Sequence, residues 1–263
     1  MNRNNLSEGG NVFKGPDKEP LTRRIKKEEI SATISFLEKS TGVDFSMDKD
    51  DEGVPIKWLG TTGRKVDSGD LDLSVDANEV DKKEFAAKLI SIFGKESVKL
   101  SGDSVHLKTP ISGDAANGFA QTDFMFSTNP KFQQGSMLGG VADSPYRGEH
   151  RHILLSSIAR ARGLKYSPKF GLVDPATNDP IANGDDWNKI AKDLLGQTAT
   201  VKDIRSVESI INYIKKLPNY EELISAAQDT LGRSGIELPK KESIENFQPG
   251  SIGWMRKMID IVK

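Results

Sequence analysis

Two aspartates alternate with leucines in the stretch DSGDLDLSVD, residues 67–76, and their spacing could do chemistry. In a β-strand, successive side chains point to opposite faces, so Asp70 and Asp72 share one face while Leu71 and Leu73 point to the other. The two carboxylates lie about 7 Å apart along such a strand and repel each other unless a cation sits between them. A divalent ion would relieve that repulsion, and oxygen-only ligation by carboxylates and phosphates is the preference of magnesium.

A third carboxylate is expected from a later apolar stretch, FAQTDFMF. There Asp123 shares its predicted face with Gln121, whereas Phe124 and Phe126 face the other way, so one acid again interrupts an apolar strand. Taken alone, a pair of acids in a strand is also explained by a solvent-facing strand or turn. The histidine of the intervening stretch SVHLKT, His106, is predicted to be an ordinary residue of the sheet surface.

The turn GTTGRK, which ends shortly before the acid pair, carries groups that could bind a triphosphate. It combines two glycines, two hydroxyl side chains and two cations. Backbone N–H groups in a glycine-rich turn and positive side chains together favour phosphate binding. The residues predicted to contribute are Gly60, Thr61, Thr62, Arg64 and Lys65.

A sheet must position these residues, and the hydrophobic pattern predicts one. Helices are expected from about 25 to 42, from a cap at Asn78 to 94, and from 148 to 163. SVKL and SVHLKT form a predicted hairpin, and IKWLG a further strand. The remaining chain is mostly helical in pattern. The predicted fold class is α+β, a mixed sheet flanked by helices with a helical C-terminal part.

The domain prediction follows from the same pattern. The first twenty residues contain few large apolar side chains, and apolar periodicity begins after them. Late helices follow the predicted sheet region. The expected parts are a disordered or loosely attached arm over 1–20, an α+β domain over 21–180 and a helical region over 181–263.

Composition limits the partners that can be expected. The chain of 263 residues has a formal net charge of −1 and no cysteine. This charge gives no whole-protein attraction to nucleic acid, although positive residues are concentrated in RRIKK and between 147 and 169. Without cysteine, disulfides and thiolate metal sites are excluded. The start lacks the apolar centre of a signal peptide and no apolar run is long enough for a membrane span, so we expect no membrane partner and a cytoplasmic location.

Read together, LGTTGRKVDSGDLDLSV resembles the signature of the nucleotidyltransferase superfamily, and most closely its DNA polymerase beta (family X) branch. That signature runs from a strand and a G-[ST] turn to an acid-hydrophobic-acid strand, with a third acid on a later strand. The resemblance implies a nucleotidyltransferase-like palm domain whose Asp70, Asp72 and Asp123 hold two Mg²⁺ or Mn²⁺ ions. It also implies that Ser68 and Gly69 lie at the bound nucleotide.

A second stretch, YRGEHRHILLSSIARARGLKYSPKFGLVD, resembles the family X segment that lies against the incoming nucleotide. The resemblance implies a sugar-contacting turn followed by a helix with one polar stripe in the nucleotide pocket. An exposed helix face explains that stripe equally well. The implied contacts are Tyr146, Gly148, His152 and Arg160, and His152 stands near a position where the family usually has asparagine.

The resemblance implies an enzyme that transfers a nucleoside monophosphate from an NTP or dNTP to an acceptor hydroxyl and releases pyrophosphate. The basic stretches favour a nucleic-acid 3′ end as acceptor, as in a polymerase or terminal transferase. The near-neutral charge and the lack of recognisable DNA-binding motifs favour a small-molecule or protein acceptor instead. A third alternative is a catalytically inactive subunit with the same fold, although all three acids are present. The sequence does not indicate an oligomeric state.

Overall fold

The computed structural model describes residues 11–50, 53–138, 144, 146–232 and 235–238. The chain divides into two compact units between residues 139 and 140. This division lies before the helix that begins at Gly148, whereas the sequence pattern predicts a domain boundary at 180. Each unit has its own buried apolar side chains.

The first unit is built around a four-stranded mixed sheet with the spatial order β3-β6-β5-β4. Its strands are β3 (Asp70–Asp76), β4 (Val98–Ser101), β5 (Ser104–Pro110) and β6 (Phe119–Ser127). β3 and β6 run parallel, whereas β5 is antiparallel to both of its neighbours. The predicted hairpin and both acid-bearing strands are confirmed, and the fold class is α+β.

Three helices flank this sheet, and a short strand pair lies outside it. The helices are α1 (Lys27–Thr41), α2 (Lys82–Phe93) and α3 (Pro130–Ser136), and β1 (Ile25–Lys26) pairs with β2 (Asp67–Ser68). α1 ends as predicted at Gly42, which takes the left-handed conformation. The cap of α2 is Asp81 and not the predicted Asn78, because the Asp81 carboxylate accepts the backbone N–H groups of Lys83 and Glu84.

Apolar side chains alternate with the acids and fill the core on the opposite face of the sheet. Leu71 and Leu73 of β3 and Phe124 of β6 are fully buried, as the period of two predicts. Phe85 of α2 packs edge-on against Phe124, with ring centroids 4.9 Å apart. The core therefore anchors the two strands from one side and leaves the acids on the other.

The predicted strand IKWLG does not form a regular strand. Trp58 and Leu73 make an isolated antiparallel bridge, and the backbone N–H of Leu59 donates to the carbonyl of Asp72 over 2.9 Å. The pairing stops at Gly60, where the backbone turns with φ of 57°. This segment is an edge contact of β3 that leads into the glycine-rich turn.

Phe13, within the range 1–20 predicted to be a disordered or loosely attached arm, is packed on the first unit, while residues 16–20 are exposed. The side chain of Phe13 is only 2% exposed. The backbone N–H of Leu21 donates to the carbonyl of Phe13, and Lys14 bridges to Pro20. Because the segment contains few apolar residues, its composition did not indicate that this aromatic side chain is buried. Residues 1–10 lie outside the described part of the chain.

In its described residues, the second unit is helical with one small hairpin. Its elements are α4 (Gly148–Ala161), β7 (Lys165–Ser167), β8 (Gly171–Val173), α5 (Trp187–Leu195), α6 (Val207–Ile214) and α7 (Tyr220–Gly232). The Ser157 hydroxyl of α4 donates to the carbonyl of Leu223 and accepts the N–H of Ala227, both on α7. Because these bonds and a shared core tie α4 to later helices, the boundary precedes α4. The closing IGWMRKMIDIV lies outside the described residues.

Among the described residues, no helix combines the length and the apolar character needed to cross a membrane.

Candidate metal centre

Three carboxylates meet on the polar face of the sheet. Asp72 and Asp123 are direct register partners on the parallel strands β3 and β6, and Asp70 lies two residues before Asp72 on the same face. One potential ligand atom from each carboxylate lies within 4.8 Å of the others. The spacing that predicted this cluster thus corresponds to a real juxtaposition of side chains.

The three carboxylates repel one another, and the repulsion acts through a partly buried environment. Burial, followed by the charge of Asp123, raises the pKa of Asp70 to about 6. Burial and the charges of Asp70 and Asp123 raise the pKa of Asp72 well above its ordinary value. A cation among the three oxygens would remove this cost, and a donor set of carboxylates alone suits Mg²⁺ or Mn²⁺.

Two further side chains contact Asp123, and the sequence pattern predicted neither of them as a site residue. His106 lies opposite Asp123 on β5, and its Nδ1 donates to Asp123 Oδ1 over 2.7 Å. The Gln121 amide Nε2 donates to the other oxygen, Oδ2, over 3.2 Å. The alternation in SVHLKT put His106 on one face, but only the register of β5 against β6 places it beside the acid.

The glycine-rich turn is fixed to the acid-bearing strand by backbone contacts. The buried Thr62 hydroxyl accepts the backbone N–H of Asp72 over 3.0 Å. Thr61 and the buried Ser68 exchange a hydrogen bond between their hydroxyls over 3.1 Å. These bonds hold the turn against the start of β3, next to Asp72. Gly69, immediately before β3, is exposed.

Gly60 lies so close to Asp72 that a larger residue would disturb the site. A Cβ at this position would lie 2.8 Å from Asp72 Oδ2, and the φ of 57° disfavours any residue with a side chain. We expect Gly60→Ala to lower the free energy of unfolding by about 1–2 kcal/mol from backbone strain and also to weaken Mn²⁺ binding.

Gly102 offers a matched control for Gly60→Ala. Its φ is 50°, and nothing lies within 4 Å of a Cβ added there. Gly102→Ala should show a similar loss of stability in urea unfolding but unchanged Mn²⁺ affinity by isothermal titration calorimetry. Equal Mn²⁺ affinities of the two variants would argue against a contact between the turn and the metal centre.

The two cations of the turn have different surroundings. The Arg64 guanidinium is paired with the Asp50 carboxylate, and each side chain is 15% exposed. Gln134 donates to the same carboxylate over 3.1 Å, so Asp50 holds Arg64 and Gln134 together within the unit. Lys65 is exposed, which suits the predicted phosphate contact better than the paired Arg64 does.

The other predicted nucleotide contacts belong to the second unit. Tyr146 precedes α4 and donates from its hydroxyl to the carbonyl of Glu237, while Gly148 is the first residue of α4. His152 stacks on Tyr166 with ring centroids 5.9 Å apart, and Arg160 is exposed on the last turn of α4. The aspartates and the turn thus belong to the first unit, and these four residues belong to the second.

The basic stretch between 147 and 169 contributes fewer surface charges than its sequence suggests. Arg151 is 3% exposed, its Nε donates to the carbonyl of Ile204, and its guanidinium lies 4.9 Å from the centre of the Trp187 ring. Burial lowers the pKa of Arg151 to about 10. This arginine supports the core of the second unit and is not a surface ligand for nucleic acid.

Comparison with protein-family models, with curated proteins and with solved structures gives no match to this chain.

Proposed function

We propose that this chain is a metal-dependent nucleotidyltransferase. The observation that carries the proposal is the convergence of Asp70, Asp72 and Asp123 on two adjacent parallel strands, with ligand oxygens within 4.8 Å of one another. A turn of glycine and hydroxyl residues, bonded to the backbone of Asp72, supports it. The resemblance of LGTTGRKVDSGDLDLSV to the nucleotidyltransferase signature gives the reaction class.

Different residues of the first unit would have different roles in such a transfer. The three aspartates would hold two Mg²⁺ or Mn²⁺ ions together with the triphosphate. When bound, these ions would supply charge neutralisation at the phosphates and lower the pKa of the acceptor hydroxyl. The exposed Lys65 and the N–H groups of the turn would contact phosphate oxygens, while Arg64, paired with Asp50, keeps the turn in place.

A nucleic-acid 3′ end is the first acceptor in this proposal. RRIKK and the exposed cations of the second unit support it, with Arg147 and Arg160 both exposed. The burial of Arg151 reduces that basic surface and favours the alternative, a small-molecule or protein hydroxyl. The two acceptors call for one experiment with distinguishable outcomes.

The experiment incubates the protein with a labelled oligonucleotide primer, each NTP or dNTP in turn, and Mg²⁺ or Mn²⁺. We expect the primer to be elongated, with pyrophosphate released in step, and we expect Asp123→Asn to lose both activities. Pyrophosphate release without elongation would support the alternative acceptor. Absence of release with every triphosphate and both metals, in cell extract supplying acceptors, would contradict transferase function and favour an inactive subunit.

A further inference from the structure

The first described residues of the chain pack on the same face of the sheet as the three aspartates. Lys99 of β4 is the register partner of His106, and its ammonium donates to the carbonyl of Val12. The Phe13 ring is buried, with the Lys99 ammonium 5.2 Å from its centre. Residues 11–13, here called the N-terminal segment, therefore lie beside the row of cross-strand neighbours that runs from Lys99 through His106 to Asp123.

A chain of two hydrogen bonds joins this segment to Asp123. The backbone N–H of Val12 donates to Gln121 Oε1 over 2.9 Å, and Gln121 Nε2 donates to Asp123 Oδ2 over 3.2 Å. Because a backbone N–H can only donate, it selects the oxygen end of the amide and leaves the nitrogen end for the carboxylate. Gln121 is 4% exposed, so water has little access to replace either bond.

Asp123 is held at both of its oxygens as a result. His106 Nδ1 contacts Oδ1 and Gln121 Nε2 contacts Oδ2. An ionised carboxylate has about four lone-pair positions, so two hydrogen bonds fix its plane and still leave positions for a cation. Partners of this kind orient metal ligands, and their loss typically weakens metal binding by about 10- to 100-fold.

We propose that the N-terminal segment is a positioning element of the metal centre. The Val12 N–H fixes the orientation of the Gln121 amide, and this amide in turn orients the Asp123 carboxylate. This inference rests on the proposed function, since it takes the three aspartates as metal ligands. It assigns residues 11–13 a role beyond covering the sheet. In this proposal the segment acts on the metal centre through Gln121.

A pair of variants at Val12 separates the N–H from the side chain. Val12→Pro removes the donor, whereas Val12→Ala keeps it and shortens the side chain. We expect Val12→Pro to weaken Mn²⁺ binding by about 3- to 10-fold, one step further from the ligand than the partners described above. Val12→Ala should stay within about twofold of wild type in a Mn²⁺ titration followed by electron paramagnetic resonance.

A double-mutant cycle with Gln121→Leu tests whether the effect passes through the amide. Gln121→Leu alone should weaken Mn²⁺ binding by about tenfold, and adding Val12→Pro should cause no further loss. A loss that is the same size in both backgrounds would mean that Val12→Pro acts by general disturbance, and it would overturn the proposal. Unchanged Mn²⁺ affinity in Gln121→Leu would overturn it as well, whether or not Val12→Pro folds.

Asp72→Asn serves as the reference in the same titration. If it abolishes Mn²⁺ binding while Val12→Pro and Gln121→Leu have no effect, only the positioning role of the segment fails. If Asp72→Asn leaves Mn²⁺ binding intact, the metal centre itself is refuted, and the proposed function fails with it. Far-ultraviolet circular dichroism of each variant confirms that the comparison is made between folded proteins.

Discussion

Asp72→Asn is expected to lower the rate of nucleotidyl transfer by at least about a thousandfold. The bound metal stabilises the transition state by several kcal/mol, and each 1.36 kcal/mol changes the rate by a factor of ten. Asp72 is flanked by both other carboxylates and lies against the turn. Asparagine keeps the shape and the backbone N–H that Thr62 accepts, but it removes the charge that a divalent ion needs. The rate of pyrophosphate release with the active triphosphate and acceptor measures the effect.

The same substitution should leave the metal-free fold intact. Burial and two neighbouring carboxylates disfavour the charged form of Asp72, so a neutral side chain leaves the stability unchanged or slightly higher. Asp76→Asn, at the far end of β3, is the matched control and should retain activity, since Asp76 contacts Asn78 and not the cluster. Full activity in Asp72→Asn would contradict the assignment, and a collapsed melting transition would mean that the residue is structural.

The second large effect is an unusual dependence of stability on pH. The pKa of Asp70 is about 6 in the folded chain against 3.8 ordinarily, so the folded state binds this proton more tightly than the unfolded state does. Its stabilising contribution is therefore complete below about pH 4 and is lost as the pH rises through 6. We expect the free energy of unfolding of the metal-free protein to fall by on the order of 2 kcal/mol across this window.

Divalent cations should reverse this loss. Mg²⁺ or Mn²⁺ binds the ionised carboxylates, so at pH 8 a concentration about 100 times the dissociation constant adds about 2.7 kcal/mol, whereas protons displace the ion at pH 5. Glu29, whose pKa is held at about 2 mainly by its hydrogen bond from Arg23, keeps its charge in the folded state throughout the window. Its unfolded form takes up a proton near pH 4.5, which works against the Asp70 effect at the acid end, so the loss is read between pH 5 and 8. Urea unfolding at pH 4–8, with chelator and with Mg²⁺, measures both changes.

Asp70→Asn provides the control for the pH series. Without the titrating carboxylate, the decline between pH 4 and 6 should be smaller, and the stabilisation by Mg²⁺ should disappear. Two results would be incompatible with three mutually repelling carboxylates. One is a wild-type free energy of unfolding that rises with pH over this window, and the other is one that does not change when Mg²⁺ is added at pH 8.

Local sequence patterns were sufficient to predict the hairpin, the two acid-bearing strands and the face on which each of their acids lies. Alternation with a period of two places Asp70 and Asp72 opposite the buried leucines, and Asp123 opposite Phe124. Each of these statements concerns neighbours within one strand. The meeting of Asp123 with Asp70 and Asp72 also requires the register of β6 against β3, which local alternation does not fix.

Features that depend on long-range register could not be read from the sequence. The contact of His106 with Asp123 requires β5 to pair with β6 in one particular register. Likewise, Arg64 pairs with Asp50, which lies 14 residues earlier and which no local pattern connects to it. The docking of the N-terminal segment depends on Phe13, a lone aromatic residue without periodicity.

The predicted domain boundary differs from the division between the two compact units for a related reason. α4 has the amphipathic pattern of any surface helix, and the pattern does not tell which unit covers its apolar face. Ser157 and the core residues beneath it join α4 to α7. Which elements cover an apolar helix face depends on the tertiary structure. The local pattern alone therefore grouped α4 with the sheet that precedes it.

The central claim, that Asp70, Asp72 and Asp123 hold the divalent ions of a nucleotidyl transfer, is tested most directly by Mn²⁺ binding followed by electron paramagnetic resonance in the presence of a non-hydrolysable nucleoside triphosphate. Wild-type protein should bind Mn²⁺ more tightly with the triphosphate than without it, because its phosphates complete the coordination shell. Asp72→Asn should abolish that binding, and Asp76→Asn should preserve it. Mn²⁺ affinity that is equal in wild type and Asp72→Asn would contradict the account.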